Sequence, residues 1–411
     1  MIQFLSINFS ASQSRFLKMR IYLLFFVFLL SNACSEKTAD SKKEYQTLFV
    51  GSFTTPNEQG IEKADSIYIL QMDRQTGELS RKGAVTNVSN PSYLAIHPNK
   101  KYLYAAERPN GKTGFGWVSA YNIEGDTPEK VDSVSSQGYG ACYVSVAPNG
   151  VAPNGVDYSG KFVLLANYFE AVASFGIGQN GSLTEALSVK KHQRSSVSTL
   201  KRQETAHPHM ILPTLESNMA FVPDLGLDSI FHYRISNEGV LQLQAQTATA
   251  EGAGPRHMTF HPNKKWVYVL NELNRTVGAF HIKSLQEPFE LVQTIPTLKN
   301  DDAQVTAAAI HLHPNGKFLY TSNRGLNGST TQSISVFQIH PESGELTLVQ
   351  EQNTKGKIPR DFAISPDGKF LLVANQDTDD IFTFQIDAVT GKLEDTGFSL
   401  KVTAPVCLKF L

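Results

Sequence analysis

The sequence predicts an all-β fold in which seven similar four-stranded antiparallel sheets form a closed ring. Three observations lead to this prediction: one segment recurs along the chain, a second segment follows it, and polar and apolar residues alternate within both. Alternation of period two indicates β-strands, and a repeat of about 50 residues indicates a propeller or a solenoid. The expected fold is therefore a seven-bladed β-propeller.

The first recurring segment reads as a strand, a tight turn and a second strand. Its clearest copies are PSYLAIHPNKKYLYAAE from Pro91, PRHMTFHPNKKWVYVLNE from Pro255, AAIHLHPNGKFLYTSNR from Ala308 and PRDFAISPDGKFLLVANQ from Pro359. Two weaker copies begin at Tyr143 and His209. Proline, asparagine or aspartate, and glycine are the residues that tight turns prefer, so each copy predicts a β-hairpin.

The second recurring segment supplies the third strand of each blade. Its seven copies are SIYILQM at Ser66, WVSAYNI at Trp117, AVASFGI at Ala171, SIFHYRI at Ser229, TVGAFHI at Thr276, SISVFQI at Ser333 and DIFTFQI at Asp380. Several copies run into a turn such as DRQTGEL and then into a fourth strand, which completes a blade.

The two ends of the repeat array complement each other. Residues 47–52 align with the second strand of a blade, and no first strand precedes them. Residues 405–411 align with first strands such as NPSYLAI and IPRDFAI. We therefore expect the C-terminal strand to join the N-terminal blade, which closes the ring and removes an open sheet edge.

Composition excludes several classes of protein. Among 411 residues, 37 Lys and Arg stand against 38 Asp and Glu, and this balance argues against nucleic acid as a partner. With 41% hydrophobic and 18% charged residues the chain is not disordered. Three cysteines cannot form a disulfide scaffold, and we expect Cys142 and Cys407 to be buried free thiols.

The N-terminal residues 1–33 read as a signal peptide. Arg20 precedes the apolar run Ile21–Leu30, which is too short to span a bilayer, and small residues lead to Cys34. A cysteine at this place resembles a bacterial lipobox, so we expect lipidation at Cys34 and a flexible tether over residues 34–45, before a propeller over residues 46–411. A plain cleaved signal with an incidental cysteine is the alternative. Met19 could itself be the start of translation.

The position of a residue within the blade separates structural from functional candidates. His97, His261 and His313 recur in the HPN turn, so we expect them to be structural. The opposite face, where first strands begin and second strands end, collects polar residues that converge on the channel mouth. They are Glu107, Arg108, Asn167, His207, His209, Asp224, Arg256, His257, Asn271, Glu272, Asn323, Arg324, Arg360, Asn375, Gln376 and Asp377.

Other kinds of site are not indicated. His207 and His209 have no carboxylate or cysteine cluster at ligand spacing, so no metal site is expected. The sequence has no nucleophile elbow, no P-loop and no dinucleotide-binding fingerprint, and no cofactor is predicted. The basic segment Lys190–Ala206 is either a lid that attracts anions or a solvated loop.

The sequence resembles the lactonase family of seven-bladed propellers, which contains bacterial 6-phosphogluconolactonases and fungal carboxy-muconate lactonizing enzymes. The resemblance covers almost all of the chain after residue 44. The segments that carry it are YQTLFVGSFT at Tyr45, RQETAHPHM at Arg202, VPDLGLDSIFHYRI at Val222, GAGPRHMTFHPN at Gly252, YVLNEL at Tyr268, LYTSNRG at Leu319, KIPRDFAISPDGKFLLVANQD at Lys357 and PVCLKFL at Pro405.

The resemblance implies a site made of a histidine, two arginines and a glutamate. The family's histidine falls on His207 or His209, its arginines on Arg256 and Arg324, and its glutamate on Glu272. Two family positions differ here, because Tyr143 replaces a frequent histidine and Ala309 a frequent glutamate. Candidate catalytic residues are thus His207, His209 and Glu272; candidate substrate-binding residues are Arg256, Arg324, His257, Asn271 and Asn323.

The implied reaction is hydrolysis of an anionic sugar lactone. A histidine or Glu272 would activate water, with histidine favoured because two arginines would lower the pKa of the carboxylate. Arg256 and Arg324 would bind an anion or the developing oxyanion. A muconate-type cycloisomerase and a non-catalytic binding propeller remain alternatives.

The expected partner is therefore a small anionic lactone. Membrane contact is expected only through the N-terminal lipid anchor, at the cell envelope, and the chain is expected to be a monomer or a weak dimer.

Overall fold

The computed structural model describes residues 44–54, 66–109, 114–147, 160–194, 200–214 and 217–411. These residues form 27 β-strands and contain no helix. Within them, therefore, no helix of the length and apolarity needed to cross a membrane is found. The expectations for the signal peptide over residues 1–33, for lipidation at Cys34 and for the tether up to residue 43 lie outside the described residues.

The strands follow the order that the two recurring segments predict. Blades one to three contain β1 (Tyr45–Ser52), β2 (Ile67–Asp73), β3 (Leu79–Val85), β4 (Pro91–Ile96), β5 (Tyr102–Glu107), β6 (Phe115–Asn122), β7 (Glu129–Ala147), β8 (Phe162–Phe169), β9 (Ala171–Ile177) and β10 (Leu183–Lys191). Blades four and five contain β11 (Leu212–Pro213), β12 (Met219–Asp224), β13 (Ser229–Ile235), β14 (Leu241–Ala248), β15 (Pro255–Phe260), β16 (Trp266–Asn271), β17 (Thr276–His281) and β18 (Glu290–Pro296). Blades six and seven contain β19 (Val305–Leu312), β20 (Phe318–Gly325), β21 (Gln332–Ile339), β22 (Leu346–Asn353), β23 (Pro359–Ile364), β24 (Phe370–Asn375), β25 (Asp380–Ile386) and β26 (Leu393–Lys401), and β27 (Pro405–Phe410) follows them.

Blades two and three share one long strand. Five blades are separate four-stranded antiparallel sheets, but β4 to β10 form a single seven-stranded sheet. The N-terminal half of β7 pairs with β6 as the outer strand of blade two, and its C-terminal half pairs with β8 as the inner strand of blade three. The strand bends between the blades at Gln137 and Gly140, which have positive φ angles of 59° and 72°.

Both ends of the described chain lie in blade one. Strand β27 is its innermost strand and pairs antiparallel with β1, so that Val50 lies opposite Leu408. The backbone amide of Leu411 also donates to the carbonyl of Thr47 at 3.0 Å. The sheet of the first blade is therefore built from residues more than 300 positions apart in sequence.

The turn histidines join neighbouring blades. Nε2 of His97, His261 and His313 lies 3.0, 2.8 and 2.9 Å from the carbonyl oxygen of a glycine in the turn of the next blade. The glycine facing His97 is Gly160, with a φ of +67°, and a Cβ atom there would lie 1.9 Å from the imidazole. The recurring histidines are thus structural, as the repeat predicts.

The interior is apolar, as the alternating pattern requires. Leu48, Leu103, Phe221 and Tyr268 are among the core residues with no exposed surface. Cys142 and Cys407 are both buried free thiols, as predicted, and burial raises the pKa of each to about 12. Neither thiol is therefore ionised at neutral pH.

Candidate active site

A cavity of about 270 Å³ lies at the face where the inner strands begin. Its position follows from the topology, since the first residues of the inner strands and the last residues of the second strands meet there. The residues that line it are Arg108, Cys142, Tyr168, Phe169, Arg202, His209, Glu272, Thr306, Arg324, Leu326 and Arg360. Four of these are arginines and one is a glutamate, so the cavity has an excess of positive charge.

Glu272 is the centre of the charged cluster. It follows β16 directly, and its carboxylate is 2% exposed. Oε1 lies 2.5 Å from Arg202 and 3.2 Å from Arg324, and Oε2 lies 2.9 Å from Nε of Arg256. Three guanidinium groups from three different segments therefore share a single buried carboxylate.

The charges around Glu272 fix its ionisation. Burial raises the pKa of this carboxyl group, but the guanidinium groups of Arg324, Arg202 and Arg256 outweigh burial and bring it down to about 2. Glu272 is consequently an anion at neutral pH whose two oxygens are both engaged by cations. Such a carboxylate is a weak base, and it is well suited to orient the arginines.

Arg256 lies beneath the floor of the cavity. Its side chain is 3% exposed, and a terminal nitrogen donates to the backbone carbonyl of Ala308. Burial and the neighbouring Arg324 lower the pKa of Arg256 to about 10, so it stays protonated at neutral pH. Glu272 and Ala308 hold Arg256 in place, and its positive charge adds to that of the arginines that line the cavity.

Arg108 and Arg360 complete the positive lining of the cavity. Burial, together with the repulsion of Arg256, Arg324 and Arg108, lowers the pKa of Arg360 well below its ordinary value. Its guanidinium group also lies over the ring of Phe53, 5.2 Å from the centroid. In the described residues the cavity lining provides no carboxylate besides Glu272 to neutralise this group.

The structure separates the two histidines of the His-x-His segment. His209 lines the cavity, whereas Nδ1 of His207 lies 3.0 Å from the carbonyl oxygen of Tyr168, and its ring stacks on that tyrosine at 4.3 Å. Among the described residues, Nδ1 of His209 has no hydrogen-bond partner. Burial, and then the charges of Arg256 and Arg360, hold the pKa of His209 well below its ordinary value. His209 is therefore neutral.

Four of the five predicted binding residues do not line the cavity, and Arg256, described above, is one of them. His257 is buried among aromatic rings, and its own ring lies 5.3 Å from that of His209. The amide nitrogen of Asn271 donates to Thr276, and that of Asn323 donates to Ser333 and Ser335.

Asn271 and Asn323 in fact recur at the ends of the second strands. Asn167 and Asn375 occupy the same blade position and donate to the backbone carbonyls of Ser136 and Thr354. In the described structure the four amides therefore tie strand ends to neighbouring strands and loops.

Arg202 and Tyr168 belong to the site but were not among the predicted site residues. Nη1 of Arg202 lies 2.5 Å from Glu272, and Nη2 donates to the hydroxyl of Tyr168 at 2.9 Å. The glutamate's charge, acting against burial, raises the pKa of Arg202. The segment RQETAHPHM could have indicated Arg202 as a site residue, because the arginine precedes the His-x-His segment by five positions.

Two aspartates hold the segment that carries Arg202 and His207. Asp224 accepts hydrogen bonds from the amide of His207 at 2.7 Å and lies 2.7 Å from Nδ1 of His192. Asp228 accepts from the side chain of Gln203 and from the backbone amides of Gly252 and Gly254. Asp228 therefore couples the Arg202 segment to the loop that leads into Arg256.

No group of three or more His, Cys, Asp or Glu side chains able to hold a metal ion occurs in residues 44–54, 66–109, 114–147, 160–194, 200–214 and 217–411.

Comparisons with known proteins agree with this architecture. The family described as Lactonase, 7-bladed beta-propeller matches residues 47–410. A 6-phosphogluconolactonase of Bacillus subtilis is 33% identical over 367 residues, covering 88% of this chain and 97% of that protein. A 6-phosphogluconolactonase of Formosa agariphila is 32% identical over 352 residues, covering 84% and 94%.

A solved structure gives the same result. The periplasmic gluconolactonase of Pseudomonas aeruginosa superposes with a TM-score of 0.78 at 28% identity, covering 90% of this chain and 99% of that one. The ring of antiparallel blades and the match over almost all of the described chain lead to one conclusion: the chain belongs to the lactonase family of seven-bladed β-propellers.

Proposed function

We propose that the protein hydrolyses a sugar lactone that carries a negative charge. The observation that carries this proposal is the cavity whose described lining contains four arginines, Arg108, Arg202, Arg324 and Arg360, and one acid, Glu272. Guanidinium groups are planar donors that bind carboxylate and phosphate in pairs of hydrogen bonds. The similarity to two proteins named 6-phosphogluconolactonase supports the same chemical class of substrate.

The arginines would have two tasks in the reaction. One task is to bind the anionic group of the substrate and so fix the ring in the cavity. The other is to stabilise the oxyanion that forms when the lactone carbonyl is attacked, an effect worth about 3–4 kcal/mol where one such donor has been removed. Glu272 holds Arg202, Arg256 and Arg324 in place for both tasks.

His209 is the best candidate for the base. In the reaction its neutral imidazole accepts a proton from water while the oxygen of that water bonds to the lactone carbonyl carbon. The tetrahedral intermediate then collapses, the ring C–O bond breaks, and the imidazolium returns the proton to the leaving ring oxygen. The product is the open-chain hydroxy acid.

Binding of an anionic substrate would itself activate His209. Burial and nearby arginines depress the pKa of this histidine. A substrate anion bound to those arginines offsets their charge, which raises the pKa of the imidazole towards neutrality. Glu272 is disfavoured as the base because its pKa is about 2.

We further propose that the protein is exported and anchored at the cell envelope. Support comes from the apolar run Ile21–Leu30, from Cys34 after it, and from the similarity to a periplasmic gluconolactonase. Membrane fractionation of the wild type and of a Cys34→Ser variant tests the anchor. The wild type should stay with the membrane, and release of only the variant is expected; equal partitioning of the two would contradict lipidation.

A lactone panel tests the enzymatic proposal. Purified protein is incubated with 6-phosphogluconolactone and with other lactones, and acid release is followed with a pH indicator above the spontaneous rate. We expect hydrolysis by the wild type and by His261→Ala, a substitution far from the cavity, and strong loss in Arg324→Ala. Rates at the spontaneous level for every lactone would refute the proposal.

A further inference from the structure

A second, larger cavity of about 760 Å³ lies at the opposite end of the channel. It is lined by the last residues of inner strands, such as Ile96, Val146 and Phe260, and by the loop residues Ile282 and Leu285. Its volume falls within the range of about 300–1,000 Å³ that is typical of small-molecule sites.

The inner strands of neighbouring blades build the wall of this cavity together. Blade two contributes residues 93–96, blade three contributes residues 143–146, and blade four contributes Leu212, Pro213, Thr214 and Ser217 among its described residues. The cavity is thus formed by several blades of the ring.

Three lysines, Lys264, Lys283 and Lys409, contribute charge to a largely apolar wall. Lys264 and Lys283 are exposed, and Lys283 is paired with Glu290 at 3.0 Å, whereas Lys409 is half-buried. Lys409, on β27, lines the cavity, and its Nζ donates to the hydroxyl of Tyr93 at 3.0 Å. The same Nζ lies 4.3 Å from the centroid of the Tyr93 ring. An ammonium group has three N–H donors, and within the described residues Tyr93 is the one hydrogen-bond partner found for this one.

The lining favours an anion over a cation. No aspartate or glutamate is found among the described residues that line the cavity. Asp361 acts on Lys409 through space, but its oxygens are engaged by the amide of Leu408 at 3.0 Å and by His311 at 3.3 Å. A largely apolar wall, with two exposed lysines and the half-buried, partly satisfied ammonium group of Lys409, complements a ligand with a hydrocarbon body and one carboxylate.

We propose that this cavity is a second ligand site, which binds a fatty-acid-type carboxylate with its head group on Lys409 and its chain along Ile96, Val146 and Phe260. This site is distinct from the arginine cavity. The stacked rings of Tyr93 and Tyr143, 3.9 Å apart, and the ring of His257 lie between the two. The proposal does not depend on the enzymatic reaction.

Isothermal titration calorimetry with octanoate and with octan-1-ol tests the site. The two probes have the same chain length, and only octanoate has a carboxylate. We expect the wild type to bind octanoate at least tenfold more tightly than octan-1-ol. Absence of octanoate binding up to 10 mM, or equal affinity for the two probes, would overturn the proposal.

Three variants locate the binding within the cavity. Lys409→Met should reduce the preference for octanoate to within threefold, whereas Lys392→Met, which removes an exposed lysine outside the lining, should keep it. Ile96→Trp fills the cavity and should weaken both probes at least tenfold. Circular dichroism verifies that each variant is folded; if Lys409→Met does not fold, Ile96→Trp and the wild-type comparison decide. If Lys409→Met or Ile96→Trp leaves the affinity for octanoate unchanged, the ligand binds outside this cavity and the proposal is overturned.

Discussion

The inner strands of the propeller have two ends with different chemistry. At the turn end the same histidine recurs in several blades and bonds to the turn of the next blade. At the other end the charged residues occupy blade positions whose residue changes from blade to blade. Arg256 and Arg360 follow the proline that begins an inner strand, where blade two has Ser92. Glu272 stands where blades two and six have Arg108 and Arg324. The turn histidines stabilise the ring, and the variable positions at the other end form the site.

The asparagines refine this comparison. Asn271 and Asn323 lie at the cavity end, but they recur with Asn167 and Asn375, and their amides bond to neighbouring strands and loops. Proximity to the active face is therefore a weaker guide to function than a change of charge at one blade position. The predictions below test this distinction.

The largest effect is expected for Glu272→Gln. The amide keeps the size of the side chain but removes the charge shared by Arg202, Arg256 and Arg324. The arginines that the carboxylate holds in place should shift, and a misplacement of about 1 Å can cost about 10²-fold, so kcat/KM for an anionic lactone should fall by about 10²-fold or more. Steady-state kinetics beside His261→Ala measure this; a wild-type rate would contradict the account.

A smaller effect is expected for Arg202→Ala. This guanidinium group contacts Glu272 and Tyr168, but its side chain is 39% exposed, so solvent weakens its interaction. We expect KM for an anionic lactone to rise by about tenfold, with kcat changed less, and Arg202→Lys should restore part of the loss. Unchanged KM in Arg202→Ala would exclude this residue from substrate binding.

A substitution at the turn end should lower the stability of the protein and leave its activity unchanged. His261→Ala removes a hydrogen bond between blades five and six, which costs about 1 kcal/mol and lowers Tm by about 2–4 °C. Lactone hydrolysis by the folded protein should be unchanged. Calorimetry together with kinetics provides the test, and a loss of kcat without a loss of Tm would reverse the assignment of the two ends.

The smallest effect concerns pH. Burial and nearby arginines depress the pKa of His209 in the folded state, so its stabilising contribution is present above the ordinary histidine pKa of about 6.5 and is lost as pH falls below it. Tm should therefore decrease between pH 7.5 and 5.5, and less so in His209→Gln. The contribution of Glu272 to stability is lost only at lower pH, as the pH falls from about 4.5 to about 2. An identical slope in wild type and variant would argue against a neutral buried imidazole.

The sequence predicted the ring because its repeat is local and visible in period and turn residues. The cluster around Glu272 was predicted in part, since Arg256, Arg324 and His209 lie on the strand ends that face the channel mouth and in segments that resemble the family. Arg202 was not assigned to the site, because its contacts with Glu272 and Tyr168 span 70 and 34 positions of sequence. The shared strand β7 was not predicted either, because Gln137 and Gly140 at the junction bend the strand without ending it.

The most direct test of the central claim is the substrate preference of Arg324→Ala. The kcat/KM values for 6-phosphogluconolactone and for uncharged gluconolactone are measured in the wild type and in the variant. If the arginine cavity recognises the anionic group, the variant should lose at least tenfold more activity on the phosphorylated lactone than on the uncharged one. Equal losses on both substrates would contradict the account.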